Sequence, residues 1–420
     1  MLRIREALTR SSSWLIRSVR LLTQALEEAA TIRQDLMSMR QRLITLLVIV
    51  ASASAIFGSQ DERIWLNAKI NGKPVHLVFD SGSNGSALTP RAMKKLGLKF
   101  IPAPPENLSL GLLAGDTEEF TLTLAGADSK MTFLVLDLPA LYENVDFDGL
   151  VGWRTLSCNI MQVDAVAREV SFLPNGPRKI ADWTRLSVVT NLAALDLAIP
   201  HASRTNGVLS IDTGFSDGGL ALAPEAWTRW KEAHPESPVT LEASFSPAAG
   251  LLVFEEAWAD EISIGPITLT GVPIQQASSR IVARWGDQFE GCIGLAGLKR
   301  LDLIVDGNSS TAYLRAKKTR PPAYNHNRLG AVFVPTAGRT NQAVAQVVQR
   351  GPAYEAGVRD GDVLIQVDDV SVTSWSSTWI DRFSLPAGTK VRLTLKRDGE
   401  TIRATATLRE ILQPRLSKGK

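Results

Sequence analysis

From about residue 60 onward, short apolar runs alternate with clusters of glycine, proline, asparagine and aspartate. Alternating apolar and polar positions predict half-buried β-strands, and β-branched and aromatic residues favour the same conformation. Seven segments fit this pattern: Trp65–Ile70, Val75–Phe79, Phe120–Gly126, Met131–Leu136, Val170–Leu173, Pro266–Val272 and Val391–Arg397. The clearest helical patterns are Arg91–Gly97 and Pro224–Ala233. The pattern therefore predicts a mainly-β protein with small helical pieces.

The pattern differs at the amino terminus, where residues 43–57 form an apolar run without any charge. This run is shorter than the roughly 20 residues that span a bilayer. Arg40 and Arg42 flank it, and Ala53-Ser54-Ala55 matches a signal-peptidase site. Residues 1–58 are thus predicted to be a basic segment followed by a signal peptide, begun at Met37 or Met39, or by a membrane anchor; a buried core helix is the remaining alternative.

Either export reading places the rest of the chain in the periplasm or another extracytoplasmic space, secreted or anchored to the membrane. Two polar, proline-bearing stretches, residues 174–185 and 317–327, divide this exported part. The predicted domains are 59–175, 184–317 and 327–411.

Composition narrows the classes of function. The net charge of +3, from 46 basic and 43 acidic residues, is too balanced to indicate a nucleic-acid partner. The two cysteines, Cys158 and Cys292, lie in apolar stretches and are interpreted as small buried residues. No cysteine or histidine spacing suits zinc, so the sequence predicts neither a metal site nor a cofactor.

An internal repeat is the most informative feature. Residues 75–98 and 207–230 both read as apolar strand, Asp-(Ser/Thr)-Gly, small polar residues, apolar strand, proline and helix. Asp80 and Asp212 are the aspartates of the two motifs. Each block also ends alike, with Gly152 corresponding to Gly294. The offset between the blocks grows by ten residues along the way, which predicts an inserted loop in the second block.

Two carboxylates that share one proton provide general acid–base hydrolysis without a covalent intermediate. The ionised carboxylate activates a water, and the protonated one polarises the scissile carbonyl. Glycine at the third motif position permits close approach of the two chains, and serine or threonine at the second position fixes the carboxylates by hydrogen bonds. The candidate catalytic residues are Asp80 and Asp212; the supporting residues are Ser81, Gly82, Ser83, Thr213 and Gly214.

With these motifs, residues 61–317 resemble the retropepsin-like and pepsin-like aspartic peptidases. The resemblance implies two tandem retropepsin-like β lobes that form a pseudo-dimer around a cleft for a polypeptide substrate. It also implies a flap hairpin in each lobe, for which Ser109–Glu118 and Phe245–Leu252 are the candidates. The family prefers a small residue directly after Asp-x-Gly. Ser83 fits this preference in the first block, whereas Phe215 departs from it in the second. We therefore predict that a Ser83 hydroxyl bond favours ionisation of Asp80, although the dyad titrates as a unit.

The last part of the chain, VAQVVQRGPAYEAGVRDGDVLIQVDDVSV and its surroundings, resembles an α+β PDZ domain of the bacterial protease-associated kind. Such a domain adds an extended peptide as a strand and holds its terminal carboxylate on backbone N–H groups. The predicted carboxylate loop comprises Arg328, Leu329, Gly330 and Ala331. Packing of the domain against the lobes, without peptide binding, is the alternative.

The resulting prediction is an exported aspartic endopeptidase whose PDZ domain selects substrates or regulates activity. One rival is an inactive peptide-binding or scaffold protein of the same fold. A second rival keeps the chemistry but pairs each lobe with the same lobe of another chain. A serine hydrolase built on Ser83 or Ser86 lacks the Gly-x-Ser-x-Gly elbow.

Overall fold

The computed structural model describes residues 62–103, 113–136, 147–177, 180–189, 194–201, 205–216, 218–246, 250–278, 282–283, 285–319, 323–336, 339–373 and 377–412. The predicted signal peptide or anchor lies outside these ranges. Within them, no helix has both the length and the apolar character that a bilayer crossing requires.

We call residues 62–177 the first half of the region that contains the two Asp-x-Gly motifs. Its strands are β1 (Trp65–Ile70), β2 (Lys73–Asp80), β3 (Ala87–Leu88), β4 (Phe100–Pro102), β5 (Leu113–Thr117), β6 (Phe120–Leu124), β7 (Ala127–Met131), β8 (Leu134–Leu136), β9 (Gly149–Gly152), β10 (Ile160–Asp164) and β11 (Glu169–Phe172). Its helices are α1 (Pro90–Leu96) and α2 (Trp153–Leu156). The Thr89 hydroxyl accepts the Ala92 N–H at the start of α1, and Gly97 ends the helix in the left-handed region.

We call residues 184–317 the second half. Its strands are β12 (Thr184–Ser187), β13 (Asp196–Ile199), β14 (Gly207–Ile211), β15 (Leu220–Leu222), β16 (Val239–Ser246), β17 (Gly250–Ile264), β18 (Ile267–Gln276), β19 (Phe289–Ile293), β20 (Leu301–Asp306) and β21 (Thr311–Ala316). Its helices are α3 (Pro224–Ala233), α4 (Leu295–Leu298) and a 3₁₀ turn at Gly286–Gln288.

The main sheets of the two halves order their strands in the same way. From β1 outward the first sheet runs β1-β2-β9-β3-β8-β5-β4, with β6 and β7 beyond β1; the second runs β13-β14-β19-β15-β18-β17-β16. In both, the second and third strands of this order are parallel and the third and fourth are antiparallel. Each sheet thus places a strand from late in its half between the two strands that flank its Asp-x-Gly loop.

A third sheet takes strands from both halves, in the order β11-β10-β20-β21-β12. At its centre β10 and β20 are antiparallel, with Met161 opposite Val305 and Val163 opposite Leu303. The turns that follow these two strands are alike: Asp164 Oδ1 accepts the N–H groups of residues 166 and 167, and Asp306 Oδ1 accepts those of residues 308 and 309. One continuous buried core runs through both halves.

The carboxy-terminal region, residues 323–412, has a separate core around Phe333, Trp379 and Leu393. Its strands are β22 (Ala331–Thr336), β23 (Arg339–Val347), β24 (Val363–Val367), β25 (Val370–Ser371), β26 (Lys390–Arg397) and β27 (Glu400–Thr407). Its helices are α5 (Pro352–Glu355), α6 (Ser377–Ile380) and a 3₁₀ helix at Asp381–Ser384. The sheet order is β22-β23-β24-β26-β27, which makes β22 an edge strand.

The mainly-β prediction is confirmed, and α1 and α3 lie where the helical patterns placed them. Two details were wrong. The apolar run Met131–Leu136 is not one strand, because β7 ends at Met131 and β8 begins at Leu134. Cys292 is buried as predicted, but Cys158 is exposed, in the turn between α2 and β10.

Candidate active site

The two motif aspartates lie at corresponding strand ends. Asp80 is the last residue of β2 and pairs with Gly152 of the parallel strand β9. Asp212 directly follows β14, and its N–H donates to the carbonyl of Ile293 in the parallel strand β19 (2.9 Å). Both side chains are buried, with 2% and 7% of their surface exposed. Each aspartate therefore lies at the end of a central strand of its sheet, in the protein interior.

The two loops bring these carboxyl groups against each other's glycines. A Cβ atom on Gly82 would lie 2.3 Å from Asp212 Cγ, and a Cβ atom on Gly214 would lie 2.6 Å from Asp80 Cγ. Real Cβ contacts essentially never fall under 3.0 Å. Glycine at the third motif position is therefore required by the close approach of the opposite carboxyl group.

The second motif residues join the loops by reciprocal hydrogen bonds. Ser81 N–H donates to Thr213 Oγ1 (2.9 Å), and Thr213 N–H donates to Ser81 Oγ (3.0 Å). The Ser81 hydroxyl in turn donates to the Ile211 carbonyl (2.7 Å), and the Thr213 hydroxyl donates to the Phe79 carbonyl (2.8 Å). Both hydroxyls are fully buried, so this network fixes the two strand ends relative to each other.

The fourth motif position, Ser83 or Phe215, makes different contacts in the two loops. The Ser83 hydroxyl donates to the Gly85 carbonyl (2.9 Å) within its own loop. A hydroxyl has one hydrogen to donate, so this bond does not serve Asp80. The predicted role of the Ser83 hydroxyl in the ionisation of Asp80 therefore gains no support from this bond and stays a prediction. At the other loop, Asp212 Oδ1 accepts the N–H groups of Gly214 (2.9 Å) and Phe215 (3.1 Å).

The Phe215 side chain has a packing role. A Cβ atom on Gly218 would lie 1.9 Å from its ring, and one on Gly294 would lie 2.7 Å from it. The ring packs on the small buried cluster that contains Phe289 and Cys292. The backbone N–H of Phe215 therefore donates to Asp212, while its ring packs against buried residues of the second half.

The structure describes only part of each candidate flap. Residues 113–117 of the first candidate form β5, and residues 104–112 lie outside the described part. The second candidate falls on the hairpin of β16 and β17, where residue 245 pairs with 251 and residue 246 with 250; residues 247–249 lie outside the described part. The structure places this candidate on a hairpin, and its role as a flap stays a prediction.

The polar groups of the predicted carboxylate loop, residues 328–331, make hydrogen bonds to neighbouring parts of the carboxy-terminal region. The Arg328 guanidinium contacts Glu410 (Nε to Oε1, 2.5 Å), and it also donates to Asn325 Oδ1 and the Ser384 carbonyl. The N–H groups of Leu329 (2.9 Å) and Gly330 (3.3 Å) donate to Asn327 Oδ1, and Gly330 is in the left-handed region. Ala331 is the first residue of β22 and is buried.

Our sequence reasoning did not single out Asn327, although it caps this loop. The signal was present, because an asparagine side chain readily accepts N–H groups two and three residues ahead, before a glycine turn. For metal ions, the described residues contain no group of three or more histidine, cysteine, aspartate or glutamate side chains that could hold one.

Comparison with known families gives matches to two parts of the chain. Residues 66–154, in the first half, match the family described as "Aspartyl protease". Residues 343–397 match the PDZ domain family. The chain carries an aspartyl protease domain and a PDZ domain. The match to the protease family contains Asp80 and stops before Asp212. No curated protein matches the chain.

Proposed function

We propose that the chain is an aspartic endopeptidase in which Asp80 and Asp212 form one catalytic pair. The observation that carries the proposal is the crossed contact of the two loops, in which each carboxyl group lies on the glycine of the other motif. Two buried carboxyl groups in such proximity share a proton more readily than both ionise.

In the proposed mechanism, the ionised member of the pair takes a proton from a bound water as that water attacks the peptide carbonyl. The protonated member donates its hydrogen to the carbonyl oxygen, and the pair then returns a proton to the leaving amine. The bonds between Ser81 and Thr213 keep the strand ends fixed, so the carboxyl groups are positioned before the substrate arrives. No covalent intermediate forms.

We further propose that the two halves are tandem retropepsin-like lobes, with boundaries at 59–175 and 184–317, that pair within one chain. The common strand order of their sheets supports this interpretation. The third sheet, β11-β10-β20-β21-β12, is central to both halves. It supports pairing within the chain, because β10 of the first half and β20 of the second are direct neighbours. A homodimer of like lobes would have to break this ladder.

The inactive-scaffold alternative rested on Phe215. Its ring packs against Gly218 and Gly294, and its N–H donates to Asp212, so the residue does not remove a donor from the site. This observation favours the enzyme over the scaffold. Export to the periplasm or another extracytoplasmic space, by the apolar segment 43–57, remains part of the proposal on sequence grounds alone.

The test is hydrolysis of an unfolded, carboxymethylated protein by the purified chain. We expect Asp80→Asn and Asp212→Asn each to reduce kcat/KM by about 10³-fold or more, because each removes one member of an acid–base pair. Asp302→Asn is the matched control, since Asp302 makes a partly exposed ion pair with Arg315 in the central sheet. Activity that survives either active-site substitution would favour two separate sites and contradict the proposal.

A further inference from the structure

The PDZ domain (residues 327–411) meets the second half at the edge where such domains bind peptides. A PDZ ligand extends the sheet beside its edge strand, which here is β22. Strand β16, the edge strand of the second main sheet, contacts β22. Glu242 and Ala243 of β16 line one cavity together with Phe333 of β22 and with Trp379 and Phe383. A segment of the same chain therefore borders the peptide groove.

Asn327 connects the groove to this strand. Its side-chain oxygen accepts the N–H groups of the carboxylate loop, at Leu329 and Gly330. Its side-chain nitrogen donates to the Leu241 carbonyl of β16 (2.9 Å), and its own carbonyl accepts the Thr240 hydroxyl (2.7 Å). Asn327 is buried, with 5% of its surface exposed. Its amide therefore occupies donors that a peptide carboxylate would use, and the same side chain holds β16.

The connection between the second half and the PDZ domain is packed on both sides. On the side of the second half, the Tyr324 hydroxyl donates to Glu256 of β17. On the side of the PDZ domain, His326 Nε2 accepts the N–H groups of Ile411 and Leu412 (3.3 Å each). A strand held next to a groove in this way has a high effective concentration there, and it competes strongly with free peptides.

We propose that β16 is the resident occupant of the PDZ groove, and that another peptide enters only when β16 and the Asn327 amide are displaced. The domain then anchors the hairpin of β16 and β17, and peptide affinity is reduced by the fraction of molecules in which the hairpin is bound. That this hairpin borders a peptide cleft rests on the proposed function; the occupancy of the groove does not.

Thr240→Val tests this proposal, because it removes the hydroxyl bond to Asn327 and leaves the PDZ domain unchanged. Thr268→Val is the matched control, since the Thr268 hydroxyl bonds to Ser263 on the exposed surface of the neighbouring strands. All proteins carry Asp80→Asn to prevent hydrolysis of the probe. The probe is a fluorescein-labelled peptide with the sequence of residues 237–246, and fluorescence anisotropy measures its Kd.

We expect the Thr240→Val chain to bind the probe about tenfold more tightly than the parent and the Thr268→Val control, which should agree. Ala243→Glu, which places a charge at the apolar cavity from the β16 side, should have the same effect and serves if Thr240→Val does not fold. Equal Kd values in all proteins, tighter binding in both Thr variants, or no binding in any would overturn the proposal. Because hydrolysis is not measured, failure here is distinct from failure of the proposed function.

Discussion

The first and second halves, residues 62–177 and 184–317, contain the same Asp-x-Gly motif in different surroundings. In the first half the residue after Asp-Ser-Gly is a serine that bonds within its own loop. In the second half it is Phe215, whose ring packs against the interior. The contacts at the junction itself are nonetheless reciprocal, between Ser81 and Thr213. The residues that join the halves, Ser81 and Thr213, are therefore constrained by each other. The fourth motif position, Ser83 or Phe215, can instead differ between the halves.

The outer edges of the two sheets differ as well. Strand β4, at the far edge of the first sheet, exposes Phe100 (43%) and Ile101 (46%). Strand β16, at the same place in the order of the second sheet, is covered by the PDZ domain. The second half thus carries an additional interface. The aspartyl protease family matches only the first half, and a half adapted to a third domain is expected to depart further from a common pattern.

Among the variants that compare the two loops, we expect the largest loss of kcat/KM from Gly82→Ala and Gly214→Ala. Each added methyl group meets the opposite carboxyl group, so either change should reduce kcat/KM by about 10²-fold or more, as for a misplacement of the reacting groups by about 1 Å. Gly176→Ala is the control, because the nearest atom to a Cβ atom there is 3.9 Å away. A variant of one loop that keeps full activity would show that the crossed contact is not reciprocal.

The next effect concerns the bonds between the loops. Ser81→Ala and Thr213→Val each leave two buried backbone groups without their partner, which should lower the free energy of unfolding by roughly 2–4 kcal/mol. Thr213→Ser keeps the hydroxyl and should cost much less. Urea denaturation measures these differences. A cost below about 0.5 kcal/mol on one side only would break the equivalence of the two halves at their junction.

Phe215→Ala tests the difference between the loops. We expect a loss of about 2 kcal/mol in unfolding free energy, since a half-buried ring is removed from a packed cluster. Because the backbone N–H to Asp212 remains, kcat/KM should stay within about threefold of the parent value. A tenfold gain in kcat/KM would instead mean that the ring impairs the site, as the inactive-scaffold alternative requires.

The last effect concerns the covered edge and is absent at neutral pH, since it depends on the protonation of His326. Burial, and then the nearby Arg328, lower the pKa of His326 from 6.5 to about 4, while Glu410 and the Tyr324 carbonyl oppose the shift. The unfolded chain therefore binds a proton that the folded chain does not, so stability should fall as the pH drops from about 6.5 to about 4 and should level off below. His326→Gln should remove this contribution. Equal pH dependence of urea denaturation in both proteins would contradict the assignment.

Much of this architecture could be predicted from the sequence. Asp80 and Asp212 were predicted because each motif follows an apolar strand within a longer similarity. The PDZ domain was predicted because its sequence motifs resemble those of that family. These features are local, and so the residue pattern reports them directly.

The rest depends on contacts between distant segments. The bond from the Ser83 hydroxyl to the Gly85 carbonyl was not predicted, because the path of the loop backbone decides it. The contact of Asn327 with β16 joins residues more than 80 positions apart, and no periodicity in the chain indicates it. Cys158 was expected to be buried because its neighbours are apolar, yet it lies in an exposed turn.

The central claim is that Asp80 and Asp212 act as one pair, and a comparison of single and double substitutions tests it most directly. The measurement is kcat/KM for Asp80→Asn, Asp212→Asn and the double variant on one unfolded substrate protein. Residues that act as a unit are strongly non-additive, so we predict that each single variant is about as inactive as the double variant. Two single variants that each retain a large fraction of the activity, with the loss appearing only in the double variant, would contradict the account.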